Sequence, residues 1–290
     1  GGEPLLNSEM IKFISKTLHS YTKNLDVVLH IEIITNGLLL TPDLVSFLKP
    51  LGLRLVKVTL DGNKKCHDKM RPHKNGSGTY KTIIDNLQLI KGKVPISIGG
   101  NYDNSTKEHI PALLDDLKTL GLGDDIKKMA FKPILGFPGH KKKSVHSIEA
   151  CSFSETNVDD ILWLIEEIEK RGFRPYKDIA LGPCEAMRDH TYSIDPNGDI
   201  FNCVTLAGRK EYALGNVEDN PEEIRFNPLN VSIMTVDLWK NCKNCKFIPI
   251  CGGGCRVGAL LQKGNIGNEL CCEKKYFEKV STKLVVSEIL

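Results

Sequence analysis

The chain has 290 residues, of which 41% are hydrophobic and 26% are charged, and its formal net charge is +3. This length allows a large buried core in one domain or two unequal domains without help from disulfides. The charge excess is too small for the concentrated basic surface of a nucleic-acid-binding protein. No run of about 18 apolar residues predicts a membrane span. We therefore expect a soluble protein with neither a nucleic acid nor a membrane as partner.

Short apolar runs alternate with helical patterns in the first half of the chain. The runs predict strands at residues 27–35, 55–60, 94–101 and 129–133. Between and after them, apolar residues recur at helical spacing over 80–87, 110–120 and 158–168, the last helix with Asn157 as its N-cap and Gly172 after its end. This alternation predicts an α/β fold built on a parallel sheet.

The pattern changes after Gly172 to short extended pieces and turns. The turn residues 195–199 (DPNGD) lie between extended runs at 192–194 and 200–201, which predicts a hairpin with a glycine turn. Residues 273–290 mix charged and apolar side chains and predict a closing helix. The second half is therefore expected to form a separate, smaller domain.

The ten cysteines are unevenly distributed, since only Cys66 and Cys151 lie before residue 184. Cys184 precedes the hairpin and Cys203 follows it, so two thiolates can face one site. The later cysteines have the spacing Cys242-x2-Cys245-x5-Cys251-x3-Cys255, followed by Cys271-Cys272. Iron–sulfur clusters usually take four thiolates each, so this set approaches the number that two clusters need.

Two other uses of the cysteines stay open at this point. Zinc binds four thiolates in many structural sites, although zinc ribbons usually separate their cysteine pairs by about 15 to 20 residues, not five. Disulfides need an oxidising compartment, and closely spaced cysteines in an enzyme-sized chain more often bind metal. Cys66 and Cys151 fit neither spacing and are interpreted as small buried residues.

The spacing C-x13-G-x4-C, then C-x2-C-x5-C-x3-C and a final C, resembles the SPASM domain of radical S-adenosylmethionine peptide-modifying enzymes. The first half agrees with this resemblance. Gly1-Gly2-Glu3-Pro4 resembles the GGEP motif of the family, residues 34–37 (ITNG) resemble the end of its third strand, and residues 58–62 (VTLDG) with Arg71 resemble its fourth strand and loop.

The resemblance implies a partial (β/α)6 TIM-like barrel, lacking its first strand, at residues 1–175 and a small α+β, cysteine-rich SPASM domain at 176–290. It also implies that S-adenosylmethionine lies against the carboxyl ends of the strands. Gly1-Gly2-Glu3-Pro4 would bind the methionyl amino group, Thr59 and Arg71 its carboxylate or ribose, and Asn101 its ribose. Thr and Asn at strand ends also serve turns, so a purely structural role stays open for these residues.

The resemblance divides the cysteines between two auxiliary [4Fe–4S] clusters. Cys184, Cys203 and Cys255 belong to the proximal cluster, and Cys242, Cys245, Cys251 and Cys272 to the distal one. Members of the family tend to have an aromatic pair four and five residues after the last ligand cysteine. Tyr276 and Phe277 have this spacing from Cys272, so Cys272 is favoured over Cys271. His190 stands where many relatives have one more proximal cysteine. It is either a ligand, a loop histidine beside an open iron position, or a loop histidine with no metal role.

The family binds its catalytic [4Fe–4S] cluster with a CxxxCxxC loop that precedes GGEP, and these 290 residues contain no such motif. Together with the absence of an initiator Met, this predicts that the chain is part of a longer parent that begins further upstream. The parent would work in a reducing, anaerobic cytoplasm. Its electron donor would be a flavodoxin or ferredoxin.

The resemblance implies that a 5′-deoxyadenosyl radical abstracts hydrogen from a substrate carbon. We interpret the parent as a maturase of a ribosomal precursor peptide (a RiPP maturase), since residues 181–184 and 251–256 resemble geopeptide-type maturases. The alternative is an anaerobic sulfatase-maturating, formylglycine-forming enzyme, which usually has an acidic residue near the second auxiliary cysteine, where this chain has Val204. A non-enzyme alternative is a zinc-binding scaffold.

The basic run at residues 140–143 is interpreted as a solvated loop. The alternative is a docking surface for an acidic peptide.

Overall fold

The computed structural model describes residues 2–136, 148–149, 155–176, 184–237, 239–240, 242–248, 251, 253–264, 272 and 274–289. The chain divides into two compact units. The N-terminal unit comprises Gly2–Ile134 and Asp159–Tyr176, and the C-terminal unit comprises Leu135–Val158 and Lys177–Leu290. Among the described residues, no helix has the length and apolar character that crossing a membrane requires.

A four-stranded parallel sheet forms the centre of the N-terminal unit. Its strands follow chain order and are β1 (Ile31–Thr35), β2 (Leu53–Thr59), β3 (Ile96–Tyr102) and β4 (Ile126–Pro133). Residues 174–176 continue the sheet beside β4, where Tyr176 N donates to Met129 O at 2.6 Å. The α/β fold with a parallel sheet is thus confirmed, and each predicted strand overlaps an observed one, although the first was predicted to begin at residue 27 and β1 begins at Ile31.

Helices cover one face of this sheet and form the core with it. They are α1 (Ser8–Lys23), α2 (Pro42–Leu48), α3 (Lys64–Met70), α4 (Tyr80–Ile90), α5 (Ile110–Thr119) and α6 (Glu155–Lys170). The stripes predicted for α4 and α5 are buried in one hydrophobic cluster with β2 and β3, in which Leu87, Leu117, Val58 and Ile98 are completely buried. Burying each such side chain contributes about 1.5 to 3 kcal/mol of transfer free energy.

Three helices of this unit begin at short polar side chains that accept a backbone N–H. Asn7 accepts from Met10 N at 3.3 Å before α1, Thr41 from Leu44 N at 3.3 Å before α2, and Asn63 from Cys66 N at 3.1 Å before α3. Such N-caps satisfy donors that a helix leaves unpaired. The sequence analysis did not predict these three helices. It also placed Asn157 at an N-cap, whereas α6 already begins at Glu155.

The C-terminal unit contains short elements with small hydrophobic clusters. The predicted hairpin is present as β7 (Ser193–Ile194) and β8 (Asp199–Phe201), and β9 (Gly215–Asn216) pairs with β8 as a third strand. Two further strands of two residues each, β5 (Leu135–Gly136) and β6 (Ile148–Glu149), pair with each other and also belong to this unit. Its helices are α7 (Pro221–Arg225), α8 (Pro228–Thr235), α9 (Arg256–Lys263) and the predicted closing helix, α10 (Lys274–Ile289).

Candidate functional site

The first candidate site is the edge of the sheet at which β1, β2 and β3 end, which we call the carboxyl edge. Thr35 is the last residue of β1 and Thr59 the last of β2, while Asn101 is the penultimate residue of β3. The strands are parallel, with Thr35 opposite Val58 and Thr59 opposite Gly99. The carboxyl ends of parallel strands carry the ligand sites of open α/β sheets and barrels. Thr59 and Asn101 therefore lie at the edge predicted from the sequence.

Glu3 is attached to the end of β1 by a network of hydrogen bonds. Its Oε1 accepts from Thr35 Oγ1 at 2.6 Å and from Leu5 N at 3.0 Å, and its Oε2 accepts from Asn36 N at 2.6 Å. A carboxylate has about four acceptor positions. Three are used by protein donors, so Glu3 can accept one further hydrogen bond from a ligand.

The turn after β1 requires a glycine. Gly37 has φ +83°, and a Cβ placed there would lie 2.9 Å from Val58 Cγ1 and 3.0 Å from an Ile83 methyl. Its N–H donates to Thr35 Oγ1 at 3.0 Å, so the hydroxyl that binds Glu3 is itself held by this turn. The residues that resemble the family's ITNG motif thus form the support for Glu3.

Asp61 joins the ends of β2 and β3 to Arg71. The Asp61 side chain is buried, its Oδ1 accepts from Asn101 N at 2.7 Å, and its Oδ2 accepts from Arg71 Nε. The Asp61 N–H donates to His67 Nδ1 at 3.2 Å, and burial lowers the pKa of His67, so this imidazole is neutral. The sequence analysis quoted Asp61 within a motif but gave it no role. In the structure it holds both Arg71 and the backbone of Asn101.

Arg71 remains partly accessible despite this ion pair. Its side chain is 39% exposed, and its carbonyl accepts from Thr79 Oγ1 at 2.6 Å, which fixes the backbone of the loop. The structure therefore brings Arg71 and Asn101 into one network through Asp61, and Thr59 lies two residues before Asp61 on the same edge. Gly2 and Pro4 are exposed, and Gly1 lies outside the described residues.

The second candidate site is an apolar cavity in the C-terminal unit. Its volume is about 40 Å³, and four cysteines line it: Cys242, Cys245, Cys251 and Cys272. Backbone turns bring them together, because Cys245 N donates to Cys242 O and Cys251 N to Phe247 O, each at 2.8 Å. Phe247 stacks on Phe277 of α10 with ring centroids 5.9 Å apart, and both rings line the cavity. The sequence analysis grouped the same four cysteines as distal ligands.

The other three predicted ligands share a local geometry. Cys184, Cys203 and Cys255 each occupy the N-cap position of a short helical segment. Of the three, Cys255 accepts a backbone hydrogen bond at its cap, because Gly258 N donates to Cys255 Sγ at 3.2 Å. Cys203 packs against the buried cluster of Phe201, Leu206 and Val257.

In the described part of the chain, no three Cys, His, Asp or Glu side chains are close enough to hold a single metal ion. His190 lies on the surface. Its side chain is 76% exposed, and its Nε2 lies 3.5 Å from Asp189 Oδ2.

Cys66 is buried as predicted, and its burial is the main cause of the raised pKa of its thiol. Cys151, Cys271 and residues 140–143 lie outside the described residues.

The fold and its carboxyl edge define an α/β protein with a ligand site at the ends of parallel strands. Residues 1–117 match the model of the Radical SAM superfamily. This part of the chain is therefore similar to the radical SAM superfamily.

Curated relatives align with most of the chain. A cysteine-type anaerobic sulfatase-maturating enzyme of Clostridium novyi is 29% identical, covering 98% of this chain and 80% of its own. An Fe-coproporphyrin III synthase of Methanosarcina barkeri is 24% identical, covering 92% and 72%. The radical SAM cyclopropyl synthase TigE of Paramaledivibacter caminithermalis is 22% identical, covering 92% and 55%. Their names describe three different products.

Solved structures share the fold over the whole chain. The enzyme anSMEcpe with bound AdoMet has a TM-score of 0.72 at 19% identity and covers 100% of this chain and 80% of that one. The same enzyme with AdoMet and the Cp18Cys peptide has a TM-score of 0.72 at 20% identity, covering 100% and 85%. The chain therefore has the α/β fold of these solved structures.

The role of Asp61 can be tested by the substitution Asp61→Asn. We expect a loss of about 1 to 3 kcal/mol in the free energy of unfolding, because an amide puts an N–H group where Arg71 Nε needs an acceptor. The measurement is equilibrium urea unfolding. Asp85→Asn, which removes an exposed partner of Lys81, serves as the control and should cost less than about 0.5 kcal/mol. Equal losses in the two variants would show that Asp61 is not a structural centre.

Proposed function

We propose that the chain belongs to a radical SAM enzyme that modifies a polypeptide, and that its C-terminal unit is a SPASM domain with two auxiliary [4Fe–4S] clusters. The cavity that four cysteines share carries this proposal, because four thiolates are the usual ligand set of one such cluster. The domain boundary that we propose lies near residue 175.

The carboxyl edge fits S-adenosylmethionine through the groups that it presents. Glu3 has one acceptor position left for the methionyl amino group, and its other contacts hold the carboxylate in place. Arg71, oriented by Asp61, would bind the carboxylate or ribose, with Thr59 and Asn101 beside it. Bound at a reduced catalytic cluster, S-adenosylmethionine supplies the 5′-deoxyadenosyl radical that abstracts hydrogen from the substrate.

The apolar walls of the cysteine cavity fit a distal cluster. Aromatic side chains exclude water, and cluster chemistry depends on solvent exposure and on the dielectric of the surroundings. Phe277 of α10 lines the same cavity as Cys272, so the closing helix positions the last of the four proposed ligands. A zinc scaffold would instead need four sulfurs at tetrahedral distances around one ion.

Two polypeptide substrates are supported by different observations. Val204, directly after Cys203, is 73% exposed, so an acidic side chain is absent at the position where sulfatase maturases usually have one nearby. This favours a ribosomal precursor peptide. The similarity to the Clostridium novyi enzyme over 98% of the chain supports the sulfatase-maturating alternative. We propose the precursor peptide, with a flavodoxin or ferredoxin as electron donor.

Iron analysis tests the auxiliary clusters. We expect the anaerobically reconstituted chain to hold about eight iron atoms with matching acid-labile sulfide, because two [4Fe–4S] clusters contain that number. The double variant Cys242→Ala/Cys251→Ala should hold about half as much iron. Cys66→Ala, which removes a buried thiol that belongs to neither group, should retain the full amount. Zinc without sulfide would refute the cluster proposal.

The substrate class can be tested with the full-length parent, S-adenosylmethionine and a low-potential reductant. The probe is the Cp18Cys peptide, which is bound to anSMEcpe in a solved structure. We expect no aldehyde on this peptide after hydrazide labelling and mass spectrometry. The Clostridium novyi enzyme serves as the positive control. An aldehyde formed by the parent would contradict the precursor-peptide assignment and establish the sulfatase-maturating alternative.

A further inference from the structure

Arg256 is a buried cation in the C-terminal unit that lacks adequate partners in the part of the chain that the structure describes. Its side chain is 1% exposed. Among the described residues, its Nε and Nη1 have no hydrogen-bond acceptor, and its Nη2 donates to Gly253 O at 3.5 Å, the limit for a hydrogen bond. A guanidinium carries five N–H donors and keeps its charge in proteins. Burying such a charge without a compensating partner costs free energy. We therefore expect an anion to bind beside Arg256.

Two of the proposed cluster ligands act electrostatically on this guanidinium. The Cys184 and Cys255 sulfurs both lie close enough to Arg256 to act on its charge. Arg256 directly follows Cys255 and is the first residue of α9. The neighbouring Val257 packs in the cluster that also contacts Cys203. All three proximal cysteines are therefore connected to the segment that carries Arg256.

We propose that the Arg256 guanidinium donates hydrogen bonds to sulfur atoms of the iron–sulfur cluster held by Cys184, Cys203 and Cys255, and thereby stabilises the reduced form of that cluster. This inference rests on the proposed function. One-electron reduction by an external reductant adds a negative charge to the cluster and changes no bond. A fixed cation in a site of low dielectric stabilises the reduced form more than the oxidised form, which raises the reduction potential.

The distal cavity has a different electrostatic environment. Its described lining consists of aromatic and aliphatic residues, four cysteines, Gly253 and Gly254, and the cation that lines it, Lys274, is exposed to solvent. Water screens an exposed ammonium far more than a buried guanidinium. Arg256 follows Cys255 directly and is therefore expected to act more strongly on the proximal cluster than on the distal one.

Redox titration monitored by EPR tests the proposal on the reconstituted full chain. In Arg256→Gln, the reduction equilibrium constant of one auxiliary cluster should fall at least tenfold, a shift of about 59 mV to lower potential for a one-electron couple. The reduction potential of the other cluster should shift less. Arg256→Lys keeps the charge but has a single donor atom, so its shift should be smaller. Arg225→Gln removes a partly exposed cation that pairs with Asp189 and should leave both potentials unchanged.

A measurement on the unsubstituted chain avoids any folding defect of the variants. Protein labelled with ¹⁵N-arginine should show a ¹⁵N hyperfine coupling to one reduced cluster in pulsed EPR spectra. Its absence, or unchanged potentials in the Arg256 variants, would overturn the inference. Cys184→Ala separates this failure from that of the proposed function. If its iron content equals that of the unsubstituted chain, no cluster is held by Cys184 and the proposed function itself is wrong at this site.

Discussion

The geometry of the carboxyl edge depends on the hydrogen bonds of one buried carboxylate. Asp61 accepts from Arg71 and from the backbone of Asn101, so the loop after β2 and the end of β3 cannot move independently. A buried carboxylate that lost these donors would incur a large desolvation penalty. Glu3 plays the equivalent part at the end of β1 through Thr35 and Asn36. Two carboxylates therefore fix the three strand ends at which a ligand would bind.

The C-terminal unit depends on a different source of stability. Its described hydrophobic clusters are small, one of them formed by Ile200, Leu214 and Ile224. Its cysteines occupy N-caps and tight turns, and its buried Arg256 lacks a compensating anion within the described residues. Metal binding contributes free energy to folding where ligands must converge. In the proposed function, the clusters are therefore structural parts of this unit as well as redox centres.

Local patterns predicted the elements whose signals lie within a short stretch of sequence. The strands, the stripes of α4 and α5, the hairpin around Gly198 and the helix α10 all follow from such patterns. Helix α1 was missed although the sequence carried its signals, namely the Asn7 cap and apolar residues that recur at helical spacing. Many of those apolar residues, such as Met10 and Phe13, are exposed in the structure. The contacts of Glu3 and the role of Asp61 could not be predicted, because they join residues that only the register of the sheet brings together.

The most direct test of the account is an anaerobic crystal structure of the reconstituted chain with data collected at the iron absorption edge. The account predicts two separate iron positions in the C-terminal unit. One lies in the cavity of Cys242, Cys245, Cys251 and Cys272, and the other lies beside Cys184, Cys203, Cys255 and Arg256. Anomalous signal from zinc at either position, or no metal beside Arg256, would contradict it.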